Sequence, residues 1–194
     1  MAGSPNAGCL LWKRKMPDPL LEVQGLKKYF PISSGIILSS VRGWVKAVDG
    51  IDFQVGRGET LGVVGESGCG KTMTALSLLR LVPKPAARIV SGEVILDGED
   101  LVQKSSRQMR DIRGRKISMI LQDPQTSLNP VFSIGNQLIE ALGISHHGSR
   151  RDMISRAVEA LRNVRVAAPE SRLHDYPHQM SGGMKQRVLG AIAI

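Results

Sequence analysis

The residues Gly65-Glu66-Ser67-Gly68-Cys69-Gly70-Lys71-Thr72 match the pattern G-x-x-x-x-G-K-[ST] at every position. Each residue type has a chemical task. The glycines let the backbone curl so that successive N–H groups point inward at a β-phosphate. Lys71 bridges β- and γ-phosphates, and Thr72 offers a hydroxyl to Mg²⁺. A helix starting at Thr72 adds the positive end of its dipole. Such a pattern arises by chance in a chain this long on the order of 1% of the time. Cys69, inside the loop, reads as a small filler because no Cys/His pair lies near it to make a nucleophile.

A second stretch of this kind lies near the end, Tyr176-Pro177-His178-Gln179-Met180-Ser181-Gly182-Gly183-Met184-Lys185-Gln186-Arg187. Ser181-Gly182-Gly183 opens a helix running through Val188, Leu189 and Ile192, and the two glycines permit close backbone approach. Two phosphate-seeking helix starts in one chain suggest that each serves a different nucleotide. Between them, Leu121-Gln122-Asp123-Pro124 places Gln122 where a strand ends.

The elements that must hold these residues follow from pattern. Leu20-Leu21-Glu22-Val23 reads as a first strand, ending at Tyr29-Phe30-Pro31, and 32–43 reads as a Ser/Gly-rich loop. Lys46 to Val55 alternates at period two, a half-buried strand. Glu59-Thr60-Leu61-Gly62-Val63-Val64 is the short apolar run of a strand buried in a sheet. Thr72 to Val82 is helical in pattern, with Met73, Leu76 and Leu79 on one face and Pro83 just beyond its end. Glu93 to Leu96, turned at Asp97-Gly98, and Lys116 to Leu121 give two more strands. From Asp123 the character shifts to helix. Ser149-Arg150-Arg151-Asp152 matches a capping box, and Ile154, Ala157, Val158 and Leu161 follow at helical spacing. Sheet first and a helical lobe second is the expected layout.

Composition excludes several classes. The 194 residues suffice for an ordinary core, and no stretch approaches ~18 unbroken apolar residues. Cys9 and Cys69 cannot frame a disulfide-rich fold. The net charge of +9 invites nucleic acid or an anionic membrane as a partner, but aromatics are only 4%. The basic residues are spread out apart from Arg107, Arg110, Arg113, Arg115 and Lys116, so a solvated surface is the favoured reading. The stretch before Met16 carries no usable period and reads as a tail preceding the natural start.

Taken together, these phrases resemble the ATP-binding subunit of an ABC transporter, in the oligopeptide/dipeptide (and nickel) import branch. Lys46-Ala47-Val48-Asp49-Gly50, the phosphate loop, Gln122-Asp123-Pro124 with Ser127-Leu128-Asn129-Pro130, and Tyr176-Pro177-His178-Gln179 before Ser181-Gly182-Gly183 carry the likeness. It covers about residues 20 to 194, after a tail of 1–19. The implied fold is α/β: a P-loop NTPase (ABC ATPase) core sheet with an inserted helical lobe near 123–180, incomplete at the C-terminus.

The resemblance implies roles residue by residue. Gly65, Glu66, Ser67, Gly68, Cys69, Gly70, Lys71 and Thr72 hold the phosphates of ATP, and Thr72 and Gln122 ligate Mg²⁺. Lys71 and Gln122 are the catalytic residues supplied, and Tyr29 or Phe30 stacks on adenine. Ser181, Gly182 and Gly183 contact the γ-phosphate held by another subunit in a head-to-tail dimer. The implied partners are a second ATPase subunit (identical or not), integral membrane permease subunits and, indirectly, a solute-binding protein, with no nucleic acid. The implied location is peripheral, on the cytoplasmic face of the cell membrane, where ATP binding and hydrolysis drive import of peptides or a related small solute.

Three departures from the branch's pattern stand out: Met184 where Gln is commoner, Leu121 where Phe is frequent, and Arg165 where Gly is usual. The family's Asp-Glu motif and switch histidine are absent up to Ile194. Val94-Ile95-Leu96-Asp97 mimics the former, but Asp97-Gly98 reads as a hairpin turn, and His178 precedes the signature. The expectation is therefore a fragment without its catalytic carboxylate, inactive as an ATPase by itself. The alternatives are a non-transport ABC ATPase acting on nucleic acid or ribosomes, and an inactive nucleotide-binding fragment.

Overall fold

Four antiparallel strands run β1 (Leu21–Ser34), β2 (Ser40–Val55), β3 (Arg88–Leu96) and β4 (Glu99–Asp100), in the order β2-β1-β3-β4. The computed structural model describes residues 18–34, 40–81, 88–121, 127–145 and 148–194. These fall into two units, one ending at Met109 and one running from Arg110 to Ile194.

In the first unit, β1 is central: Val23 faces Phe53 of β2 and Val94 of β3, and all three side chains are buried. Leu26, Val48 and Leu96 complete that apolar face. The β1–β2 hairpin is longer than expected. Most of 32–43, read from sequence as a loop, lies in strand, because β1 continues past Pro31 to Ser34 and β2 begins at Ser40. Pro31 is tolerated there because, among the described residues, it lies beyond the last β1–β3 pair, Tyr29↔Arg88, and pairs with β2 alone. Asp97 and Gly98, both at positive φ (52° and 79°), form the expected two-residue hairpin between β3 and β4.

Two expected strands are not strands. The run 59–64 forms no ladder with any described segment, and Val64 is 78% exposed. In the second unit, 116–121 belongs to no ladder among the described residues beyond an isolated bridge, Arg113↔Ile117, around Gly114, and Ile120 is 55% exposed. A strand is defined by its ladder, and apolar composition alone does not supply one.

The helix α1 (Lys71–Leu78) follows the glycine loop, starting one residue earlier and ending sooner than periodicity predicts. Helix α2 (Ser106–Ile112) spans the boundary between the units. The second unit carries α3 (Ile134–Ser145), α4 (Arg150–Asn163), the short α5 (Pro169–Arg172), a 3₁₀ turn at Pro177–Gln179, and α6 (Gly182–Ala193). Its core gathers Leu128, Ile134, Leu138, Ala157, Leu161 and Val188.

The capping box of α4 forms as expected. Ser149 Oγ accepts from the Asp152 N–H (3.2 Å), and Asp152 Oδ2 accepts from the Ser149 N–H (3.0 Å). The buried stripe of α4 is Met153, Ala157 and Leu161, with Ile154 40% exposed instead of facing inward.

Helices α1 and α4 end in the same way. In α4, the Arg165 N–H donates to Arg162 O (2.9 Å) and the Val166 N–H to Leu161 O (3.0 Å), with Arg165 at φ 57°. In α1, the Arg80 N–H donates to Ser77 O (3.0 Å) and the Leu81 N–H to Leu76 O (2.9 Å), with Arg80 at φ 51°. Both are Schellman closures with arginine at the left-handed position that glycine usually fills.

Candidate functional site

The phosphate loop is an exposed turn closed by a Cys69 N–H bond to Glu66 O (3.3 Å). Gly68 and Gly70 lie in the left-handed region at φ 83° and 97°. That alternation of backbone handedness is what makes N–H groups converge on one side of a loop. Gly70 is also pinned from outside: a Cβ placed on it would lie 2.4 Å from Ala47 O of β2. Only glycine satisfies both constraints, so β2 fixes where α1 begins. The Gly70 carbonyl then accepts from the Thr74 N–H (2.8 Å) and hydroxyl (3.0 Å), locking the first turn.

Lys71 folds back over the loop. Its Nζ donates to Gly65 O (2.7 Å) and Glu66 O (2.8 Å), and lies 3.5 Å from Cys69 Sγ. The ammonium is thus folded back onto the loop and held by backbone carbonyls. Thr72, in the first turn of α1, is exposed. Glycine backbone, a lysine at the helix start and an exposed hydroxyl beside it form a donor set suited to a triphosphate with its divalent cation. Gln122, expected to complete the metal shell, lies outside the described residues.

Tyr29 and Phe30 occupy adjacent positions on β1, opposite Lys46 and Val45 of β2. The Tyr29 hydroxyl donates to Asp49 Oδ1 (2.5 Å), Lys46 Nζ donates to Asp49 Oδ2 (3.1 Å), and Lys46 Nζ sits 5.6 Å from the Tyr29 ring centre. The Tyr29 hydrogen bond, then Lys46, holds the Asp49 carboxyl below the usual carboxylate range. The same Asp49 bond pushes the Tyr29 phenol up. This triad flanks Ala47, the residue that meets Gly70. Sequence reading picked out the Lys46–Gly50 phrase without this role for it. Phe30 is half-buried.

In the second unit, Ser181 caps α6, accepting from the Met184 N–H (3.3 Å) with φ −67° and ψ 159°. A Cβ added at Gly182 or Gly183 would meet nothing within 4 Å, and both residues are exposed. The turn is therefore bare backbone open to an incoming group. Met180 before it is buried, and Met184 after it packs against the core, which accounts for an apolar residue where Gln is commoner. Leu121 is 50% exposed.

The sequence pattern of the ABC transporter family matches residues 48–194. The chain belongs to the ABC transporter family. It is 49% identical over 177 residues to the "Probable peptide ABC transporter ATP-binding protein y4tR" of Sinorhizobium fredii, covering 91% of this chain and 50% of that protein. It is 41% identical over 175 residues to the oligopeptide transport ATP-binding protein OppD of Bacillus subtilis, covering 90% of this chain and 47% of that one. The chain thus spans about half the length of these ABC relatives. Among solved structures it superposes on the ATP-binding cassette MJ0796, in a dimeric post-hydrolysis state bound to ADP and Pi. The TM-score is 0.72 at 22% identity, over 90% of this chain and 68% of that one. That likeness establishes an ABC ATPase fold. Among the described residues no helix is long and apolar enough to cross a membrane.

Proposed function

We propose that the chain is the nucleotide-binding part of a subunit that couples ATP to the import of peptides across the cell membrane. The observation that carries this is the loop at 65–72, with Gly68 and Gly70 at positive φ and the Lys71 ammonium folded back onto the Gly65 and Glu66 carbonyls at a helix start. High identity to peptide-transport ATP-binding proteins supports the direction of its use.

In this proposal the N–H groups of the loop and Lys71 grip the β- and γ-phosphates, with the ammonium exchanging its carbonyl partners for phosphate oxygens. Thr72 and Gln122 hold Mg²⁺, which neutralises phosphate charge. One of Tyr29 and Phe30 stacks on the base. The open Ser181 turn contacts the γ-phosphate bound by a second ATPase subunit, so nucleotide binding closes a head-to-tail dimer and hydrolysis reopens it. Membrane permease subunits receive the motion, a solute-binding protein delivers the cargo, and the ATPase stays peripheral on the cytoplasmic face.

Two substitutions test this. Hydrogen bonds from a charged group are worth about 1.5–3 kcal/mol, so Lys71→Ala weakens MgATP binding roughly ten- to a hundred-fold. Undiminished binding of a fluorescent ATP analogue would remove the phosphate-loop assignment. Ser181→Arg leaves monomer ATP affinity unchanged and abolishes MgATP-dependent self-association. A large loss of monomer affinity would instead place Ser181 in its own nucleotide site.

A further inference from the structure

The Ser181 turn is weakly built by itself. Helix α6 begins with two glycines, each worse for a helix than alanine by about 0.8–1 kcal/mol. Its cap bond, Ser181 Oγ to the Met184 N–H, is long at 3.3 Å, and neither Gly182 nor Gly183 has a packing neighbour that a Cβ would meet. Such a start frays unless something outside it fixes the helix.

That anchor is visible one turn further in. Arg187 Nη1 donates to Arg165 O (2.5 Å) and reaches Val164 O (3.5 Å). These carbonyls lie at the C-terminus of α4, where the helix dipole presents negative charge to a cation. The left-handed Arg165 turns the chain so that both carbonyls fall within reach of one guanidinium nitrogen. The same helices meet again at Gly190, where an added Cβ would lie 3.6 Å from Val164 Cγ1. Electrostatic and packing contacts therefore tie the second and third turns of α6 to one point on α4.

We propose that Arg187 is a positioning residue for the Ser181-Gly182-Gly183 turn, clamping the start of α6 to the Schellman closure of α4 so that the turn's N–H groups are held as a fixed donor set. What those donors face rests on the proposed function above; that they are fixed by Arg187 does not.

The test is hydrogen–deuterium exchange on the protein and its Arg187→Gln and Arg187→Lys variants, together with MgATP affinity and MgATP-dependent self-association. Arg187→Gln should speed exchange at the amides of 184–186 by about tenfold while leaving exchange across α3 and MgATP affinity unchanged. Arg187→Lys, which keeps the charge but not the planar fork, should restore part of the protection. Unchanged exchange at 184–186 in Arg187→Gln overturns the proposal. So does an equal rise throughout α3 and α4, which would mark general loosening of the core. Absence of MgATP-dependent self-association in the parent protein would count against the head-to-tail dimer, while the exchange pattern decides the role of Arg187 separately.

Discussion

Replacing Arg165 by glycine should make the protein more stable, although it removes a large side chain. Arg165 sits at φ 57° in the Schellman closure of α4, and a left-handed conformation costs an L-residue with a Cβ about 1–2 kcal/mol. Glycine removes that penalty but loosens the unfolded chain by about 0.4–1 kcal/mol. The net gain is about 0.5–1 kcal/mol. Among the described residues no side-chain contact of Arg165 offsets it: the side chain is exposed, and the group Arg187 grips is the Arg165 carbonyl, which glycine retains. At about 2–4 °C per kcal/mol for a protein of 150–250 residues, the melting midpoint should rise by about 2 °C.

The equivalent residue of α1 supplies the control. Arg80 has nearly the same φ, but its Nη1 donates to Leu101 O (3.1 Å) and to Lys104 O. Hydrogen bonds from a charged group are worth about 1.5–3 kcal/mol each, so Arg80→Gly loses more than strain relief returns. Parallel thermal and urea unfolding, followed by far-UV circular dichroism, should show Arg165→Gly above the parent and Arg80→Gly below it. A lower midpoint for Arg165→Gly would refute the strain argument. A higher midpoint for Arg80→Gly would show that the carbonyl contacts contribute nothing.

Gly70→Ala places a Cβ 2.4 Å from Ala47 O on a backbone at φ 97°. It should lower stability by about 2–4 kcal/mol and weaken nucleotide binding, and wild-type affinity in a nucleotide titration would show that β2 does not fix the loop. Ser149→Ala removes the α4 cap and should cost about 1 kcal/mol in urea unfolding. It should also change acid sensitivity. The Ser149 hydroxyl, then its N–H, holds the Asp152 carboxyl below the usual carboxylate range. A carboxyl depressed in the folded state contributes stability that is complete above its unfolded pKa and is lost as pH falls through the folded value. Below pH of about 4 the parent should therefore lose stability more steeply than Ser149→Ala, and parallel curves would refute the linkage.

What could be recognised in the residues alone was chemistry that local order dictates. The phosphate loop, the α4 capping box and the Asp97-Gly98 hairpin each depend on residues within a few positions of one another, so their types at fixed spacing nearly determine their geometry. Pairing was harder to see. Period two found β2 from Lys46 onward but stopped short of Ser40, because Ser40 is held in strand by Ser34 across the hairpin. Conversely, Leu61, Val63 and Val64 look like a strand, yet 59–64 belongs to no ladder among the described residues. Ile154 misled for another reason: with apolar residues at 153, 154, 157, 158 and 161, two overlapping stripes fit α4, and packing against α6 and the core selects the one through Met153.

Arg165 shows a third kind of gap. In sequence it is only an arginine where glycine is usual. The structure gives it a left-handed φ, a Schellman closure and a carbonyl gripped by Arg187, 22 residues further on. Glycine at that position would hold the same backbone with less strain and offer the same carbonyl to Arg187. The clamp therefore does not require arginine at 165; it requires the turn. The strain is localised at one exposed residue, while the function proposed for the turn depends on its neighbour across the helix pair. Arg165→Gly should consequently raise stability and leave exchange at the start of α6 unchanged, whereas Arg187→Gln should speed that exchange.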